Sequence, residues 1–234
     1  MPRSVLVTAA GHAHAGGQCE GVAAVLDDLA DALRAYDRLA RLRLGDASAE
    51  PLVVTRTEAA CAGEPDRAGK ADALVLGTNG TDGPEEALHT LAEDGAIGHG
   101  RPAYLVFVED AGDAESSWAD AEASAQTLEA ACEGAGLAWA GGLVVPGWAL
   151  VPGLLRHPRM GILRRPLSEA TDDLVAAIRS GFTVEEAART FAWPARELAV
   201  GRSDLIAVRD NAAARLFATL ARQSSVRDPY PRSR

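Results

Sequence analysis

Four short and almost unbroken apolar runs, residues 4–10, 71–77, 102–108 and 137–145, are separated by stretches whose apolar side chains recur at helical spacing. That alternation admits few folds. A continuous run such as Val5-Leu6-Val7 suits a strand covered on both faces, as in a parallel sheet, rather than one with a wet side. After a loop at residues 11–17, Val22, Val25, Leu26, Leu29 and Leu33 follow a helical stripe, with Asp27, Asp28, Asp31 and Arg34 on the other side. Strand, glycine-rich loop and helix together make half of a βαβ unit.

The same pattern continues along the chain. A helix is predicted to start at Pro84, a favoured first-turn residue. Another is predicted over 117–134, with Trp118, Ala121, Ala125, Leu128 and Cys132 on its apolar stripe, and a further one from Ser168 as N-cap candidate. A weaker second strand is read at 39–44, and Leu52-Val53-Val54 has no assigned place. Thr183 and Glu186 have the spacing of a capping box. Periodicity over 203–222 predicts one more helix, beyond Trp193-Pro194. Alternating strands and helices predict an α/β fold, a five-stranded parallel sheet in flavodoxin-like order with helices on both faces and right-handed crossovers. The expected organisation is a flavodoxin-like domain over 1–180, a C-terminal helical extension over 181–223 and a disordered tail over 224–234.

Composition bounds the functions available. No apolar run approaches the ~20 residues needed to cross a bilayer, and the first residues lack the pattern of a secretory signal. Cys19, Cys61 and Cys132 are odd in number and have no CxxC spacing, which argues against a disulfide framework or a thiolate zinc site and fits a reducing cytosol. A soluble, cytoplasmic protein is expected. Residues 1–150 hold 24 acids and 9 bases, a net of about −15, whereas 151–234 hold 9 acids and 14 bases, about +5. So acidic a body repels a phosphate backbone, so no nucleic-acid partner is expected. The basic stretch Arg156, His157, Arg159, Arg164 and Arg165 would either meet an anionic ligand or pack on an acidic body, its own or a neighbour's.

Residues 5–19, Val5 to Cys19 with Gly11 and Gly17 in register, resemble the opening of the NAD(P)H-dependent FMN reductases of the flavodoxin-like superfamily. That family has an apolar strand, then G-S-x-R-x-x-G-N-T or a close variant, then an amphipathic helix. Residues 71–84, Ala71 to Pro84, resemble its A-D-x-(apolar)3-G-[ST]-P-x-Y-x-G-x-P stretch, and the likeness extends over about residues 4–180. The resemblance implies FMN as cofactor, NAD(P)H as co-substrate, a small quinone-like acceptor and a homo-oligomer, dimer or tetramer. It places the FMN phosphate at Gly11, His12, His14, Gly16, Gly17, Gln18 and Cys19. The ring would lie between Thr78, Asn79, Gly80, Thr81 and Asp82 on one side and Glu109, Asp110 and Gly112 on the other. This chain has His12 for the family's Ser, His14 for Arg, Gln18 for Asn, Cys19 for Ser or Thr, Asn79 for Pro and Thr81 for an aromatic.

The residues themselves support an anion site at the first loop independently. Glycines let the backbone approach a ligand, and the helix that follows offers unsatisfied amides with a partial positive charge. His12 and His14 also suit general acid and base roles, or two places in a metal shell that lacks its remaining ligands. Cys19 at a helix start is either a nucleophile or a small packed side chain. Glu109, Asp110 and Asp113 are acid–base groups, cation ligands or a solvated loop, while Trp148 would line the pocket or a subunit contact. Three functions remain open: the FMN oxidoreductase, a flavin-free enzyme using His12 and His14 in the same crevice, and a non-catalytic binding or assembly protein.

Overall fold

Val5, Leu6 and Val7 are all at most 4% exposed, because helices cover both faces of the strand they form. The computed structural model describes residues 2–10, 18–44, 50–58, 70–79, 83–109, 114–145, 151–193, 198–199 and 202–208. Along the chain these give β1 (Ser4–Ala9), α1 (Gln18–Leu44), β2 (Val53–Glu58), β3 (Ala73–Thr78), α2 (Pro84–Glu93), β4 (Pro102–Val108) and α3 (Ala114–Ala135). β5 (Ala138–Val145), α4 (Val151–Leu155), α5 (Arg165–Ser180), α6 (Val184–Thr190), β6 (Leu198–Ala199) and β7 (Arg202–Ala207) follow. The sheet order is β2-β1-β3-β4-β5-β7-β6. All neighbouring pairs are parallel except β6 with β7.

Alternate side chains of each central strand feed two separate cores. Val5, Val75, Tyr104, Val106 and Leu143 meet α1, α5 and α6 on one face. Leu6, Leu74, Leu76, Leu105 and Phe107 meet α2 and α3 on the other. The predicted stripes hold: Val22, Val25, Leu26, Leu29 and Leu33 of α1 and Ala121, Ala125, Leu128 and Cys132 of α3 are buried. Burial pushes the Cys132 thiol up to about 12, which leaves it an inert core side chain. Two glycines are needed where backbones close up. A Cβ on Gly77 would come within 2.7 Å of Leu26 and 2.8 Å of Val22, so α1 lies almost against β3. Gly141 has φ +100° at a register shift of β5 against β4, and a Cβ there would strike the Asp204 backbone oxygen and the Val184 side chain.

Several expectations are corrected. Residues 39–44 are the end of α1, held by Arg41–Asp37 and preceded by Arg34–Asp31, not a strand. The second strand is the unplaced run at 53–58. The sheet has seven strands, six of them parallel, rather than five. The segment after Gly181 is not a purely helical extension: α6 forms with the expected capping box, Thr183 and Glu186 satisfying each other's backbone amides. Residues 202–207, expected to begin a helix, instead pair with β5 as β7, because Leu205 and Ile206 are each 0% exposed and need two covered faces. The remainder of 203–222 and the tail 224–234 lie outside the described residues. α5 starts at Arg165, so Ser168 is a buried residue of its first turn rather than its cap.

Two carboxylates fix strand ends. Asp72 accepts from the amides of Arg3 and Ser4, and those bonds, Arg3 first, hold it below its ordinary value. Burial by itself would raise Asp204, but Arg202 and the Trp139 indole, 2.7 Å away, bring it down. Their stabilisation is therefore complete above the unfolded carboxylate value of about 3.9 and is lost as pH falls through the lower folded values. Urea denaturation should show Asp72→Asn and Asp204→Asn less stable than wild type at neutral pH, with the gap closing below about pH 4. Gly141→Ala should destabilise by about 3 kcal/mol or more in the same assay, since both the torsion and the neighbouring backbone oppose a Cβ.

Candidate functional site

In an open parallel sheet the strand amides and carbonyls are all used, so ligands meet the loops at the carboxyl ends, at the point where the winding reverses. Here β1 connects outward to β2, and the chain then returns to β3 on the other side of β1. The reversal thus lies between β1 and β3. Their pairing runs on past the strand, Ala10 N–H donating to Gly77 O at 2.7 Å. Glu109 N–H likewise donates to Val145 O at 2.9 Å and Val208 N–H to Val144 O at 3.1 Å, so the strands end on a common edge. α1, α2 and α3 each begin where the chain returns from that edge, at Gln18, Pro84 and Ala114.

The expected site residues fall into two groups. Thr78, Asn79 and Glu109 lie at the carboxyl ends of β3 and β4, exposed by 1%, 7% and 6% respectively, and none of them lacks a partner. Thr78 closes β3 rather than opening the loop. Glu109 is buried, which removes the reading of that position as a solvated loop. Gln18 and Cys19 open α1, with Cys19 at a helix start as expected, so their backbone amides belong to its first turn. Gly11, His12, His14, Gly16, Gly17, Gly80, Thr81, Asp82, Asp110 and Gly112 lie outside the described residues, as do Asp113, Trp148 and Cys61. Trp139 sits in β5 against Asp204, at the opposite end of the sheet. Among the described residues no group of three or more His, Cys, Asp or Glu is placed to hold a metal ion, and no helix is long and apolar enough to cross a membrane.

The basic stretch is spent inside the chain. Arg159 pairs with Asp28 at 3.2 Å and with Asp172 at 2.6 Å. Arg164 pairs with the same Asp28 oxygen and also donates to the carbonyls of Leu155, 2.8 Å, and His157, 3.1 Å. Burial raises the Asp28 carboxyl and outweighs the pull of the two guanidiniums. The hydrophobic periodicity of α1 puts Asp28 on its polar side, so the sequence shows no sign that α4 and α5 cover it. The clasp has a positional consequence. The segment leaving β5 at the carboxyl edge is fastened through Arg159 and Arg164 to α1, the helix that starts behind the first loop.

Neither a family model nor a curated protein matches the chain. Among solved structures, a flavodoxin from Streptococcus pneumonia TIGR4, described as a novel drug target, is similar at 19% identity, with 61% of this chain and 83% of that chain covered and a TM-score of 0.35. The fold assignment above rests on strand order and register.

Arg164 and Asp28 are 11% and 12% exposed, whereas Arg165 and Glu169 are 58% and 41% exposed. Arg164→Met should therefore cost on the order of 3 kcal/mol in urea denaturation, since it strips a buried carboxylate of one partner. Arg165→Met should change stability by less than about 1 kcal/mol.

Proposed function

We propose that this chain is a flavodoxin-like FMN oxidoreductase that uses NAD(P)H to reduce a small quinone-like acceptor. The observation that carries the reading is the reversal of winding between β1 and β3, with the glycine-bearing connection 11–17 issuing from β1 into a 27-residue helix. An anion held there meets backbone amides in the first turn of α1, with Gln18 and Cys19 contributing theirs, and the positive end of the helix dipole. His14 would donate to the phosphate and His12 would hold or pass a proton at the loop, imidazole being the side chain that titrates near working pH.

The donor set at the neighbouring strand ends fits an isoalloxazine edge. A hydroxyl, an amide and a carboxylate, from Thr78, Asn79 and Glu109, are buried at the carboxyl ends of β3 and β4. Such groups pair with a ring that presents both N–H and C=O, and the burial of the ledge excludes water from that side. When bound, FMN supplies the hydride chemistry, while the protein supplies position and electrostatics. The buried Glu109 also favours a second reading, in which the same crevice runs flavin-free acid–base chemistry with His12 and His14.

The readings part on one measurement. FMN added to the purified protein should quench its fluorescence and raise its melting temperature, a ligand at 100 times its Kd contributing about 2.7 kcal/mol. Asn79→Leu should weaken that affinity roughly tenfold, the equivalent of one neutral hydrogen bond. If micromolar FMN gives neither quenching nor a thermal shift, the flavin reading falls, leaving the acid–base and the non-catalytic binding readings.

A further inference from the structure

The last turns of α1 outrun the sheet that the helix covers. α1 runs against the strands: Asp27 meets Arg56 of β2, and Arg34, two turns on, donates to the carbonyl of Val54 at 3.1 Å, one residue from the start of that strand. Residues 35–44 then continue the helix by about 15 Å. Leu33 is its last buried side chain among the described residues, and beyond it Tyr36 is 38%, Leu39 53% and Leu42 78% exposed. Exposure grows outward, as it must where a helix leaves its core. A spacing of three residues sets these side chains on one strip of a single helix, so their adjacency follows from helical geometry alone. Apolar residues scattered singly need no explanation, but a strip of them marks a contact surface.

Charge selects what meets the strip. Arg38 lies one turn before Leu42 and Arg43 one turn after Leu39, so a guanidinium flanks the strip on either side, and neither enters an ion pair among the described residues. Asp37, the one acid within 34–44, falls on the opposite face, where Arg41 holds it at 2.9 Å, and Arg34 on that same face pairs with Asp31. Other acids stand at the margins. Asp172 and Asp173 of α5 lie beside Tyr36 at the inner end of the strip, with Asp172 held by Arg159, and Glu50 pairs with Arg3. Asp46 lies outside the described residues. The outer turns are thus a basic, apolar end on a chain of net charge −10. Residues 209–234 carry six arginines against two aspartates, so charge does not draw that segment of the chain to the strip. An anionic lipid surface suits it better. A plane needs only one strip of a helix, leucine and tyrosine enter at headgroup level, and flanking arginines extend to the phosphates. The overhang also exceeds the Debye length of about 8 Å, so the acidic body is screened where the strip makes contact.

We propose that the overhanging end of α1 docks the protein on an anionic lipid surface, with Tyr36, Leu39 and Leu42 against the bilayer and Arg38 and Arg43 on the headgroups. The contact lies on the membrane without crossing it, and it is independent of the flavin reading. The full chain should cosediment at low salt with phosphatidylcholine vesicles in which phosphatidylglycerol makes up about a third of the lipid, and not with phosphatidylcholine alone. Arg38→Gln and Arg43→Gln should each weaken that binding about five-fold, and Leu39→Gln with Leu42→Gln about ten-fold. These side chains are exposed, so circular dichroism should show every variant folded. Glu85→Gln with Glu86→Gln, on α2 across the sheet, alters the net charge away from the strip and should change binding by less than about two-fold. A wild type that stays in the supernatant overturns the proposal. So does pelleting that is equal on neutral vesicles or indifferent to substitutions at 38, 39, 42 and 43. A wild type that ignores vesicles but binds poly-glutamate marks an acidic protein partner in place of a membrane, and overturns it as well.

Discussion

The covering of the sheet on both faces is the constraint from which the rest of the molecule follows. Val75 and Val106 face one core while Leu74, Leu76 and Leu105 face the other, all of them essentially sealed from water. A strand in that position has no side on which to keep a working polar group, because an unpaired polar side chain between two apolar layers is costly. Polar side chains such as Thr78, Asn79 and Glu109 are buried at the strand ends, where they find partners. The close approach of α1 over Gly77 sharpens the effect by bringing the start of the longest helix to the edge where β1 and β3 diverge.

What the sequence revealed and what it hid divide along physical lines. Runs long enough to be covered on both sides, such as residues 102–108, and stripes long enough to average out local exceptions, such as Val22 to Leu33, were legible at once. Short runs were ambiguous. Leu205-Ile206 reads equally as a buried strand or as part of a helix, and only pairing with β5 decides it. Leu39, Leu42 and Leu44 mimic alternation, yet arginines and aspartates at i, i+3 and i+4 keep α1 going past Leu33, its last buried side chain among the described residues. The polar edge strand β2 lacks the apolar density that betrayed its neighbours, with Val53 55% exposed. The glycines of the first loop lie outside the described residues, and the burial of Glu109 is a tertiary fact that no spacing announces.

Charge tells a similar story. The contrast between an acidic body and a basic later third suggested either an anionic ligand or internal packing, and for residues 156–165 the internal solution prevails. Arg159 and Arg164 converge on Asp28. Such a clasp adds little net stability once desolvation is counted, but it admits only one docking of the strap on α1, so its contribution is to geometry more than to free energy.

β7 has a consequence for how the chain reaches its native state. It lies between β5 and the short β6, and the seat that receives it depends on Gly141 giving way to the backbone of Asp204. Without β7 the flank of β5 is open, with its peptide groups unsatisfied and a ready template for a foreign strand. Pairing of β7 with β5 closes that flank.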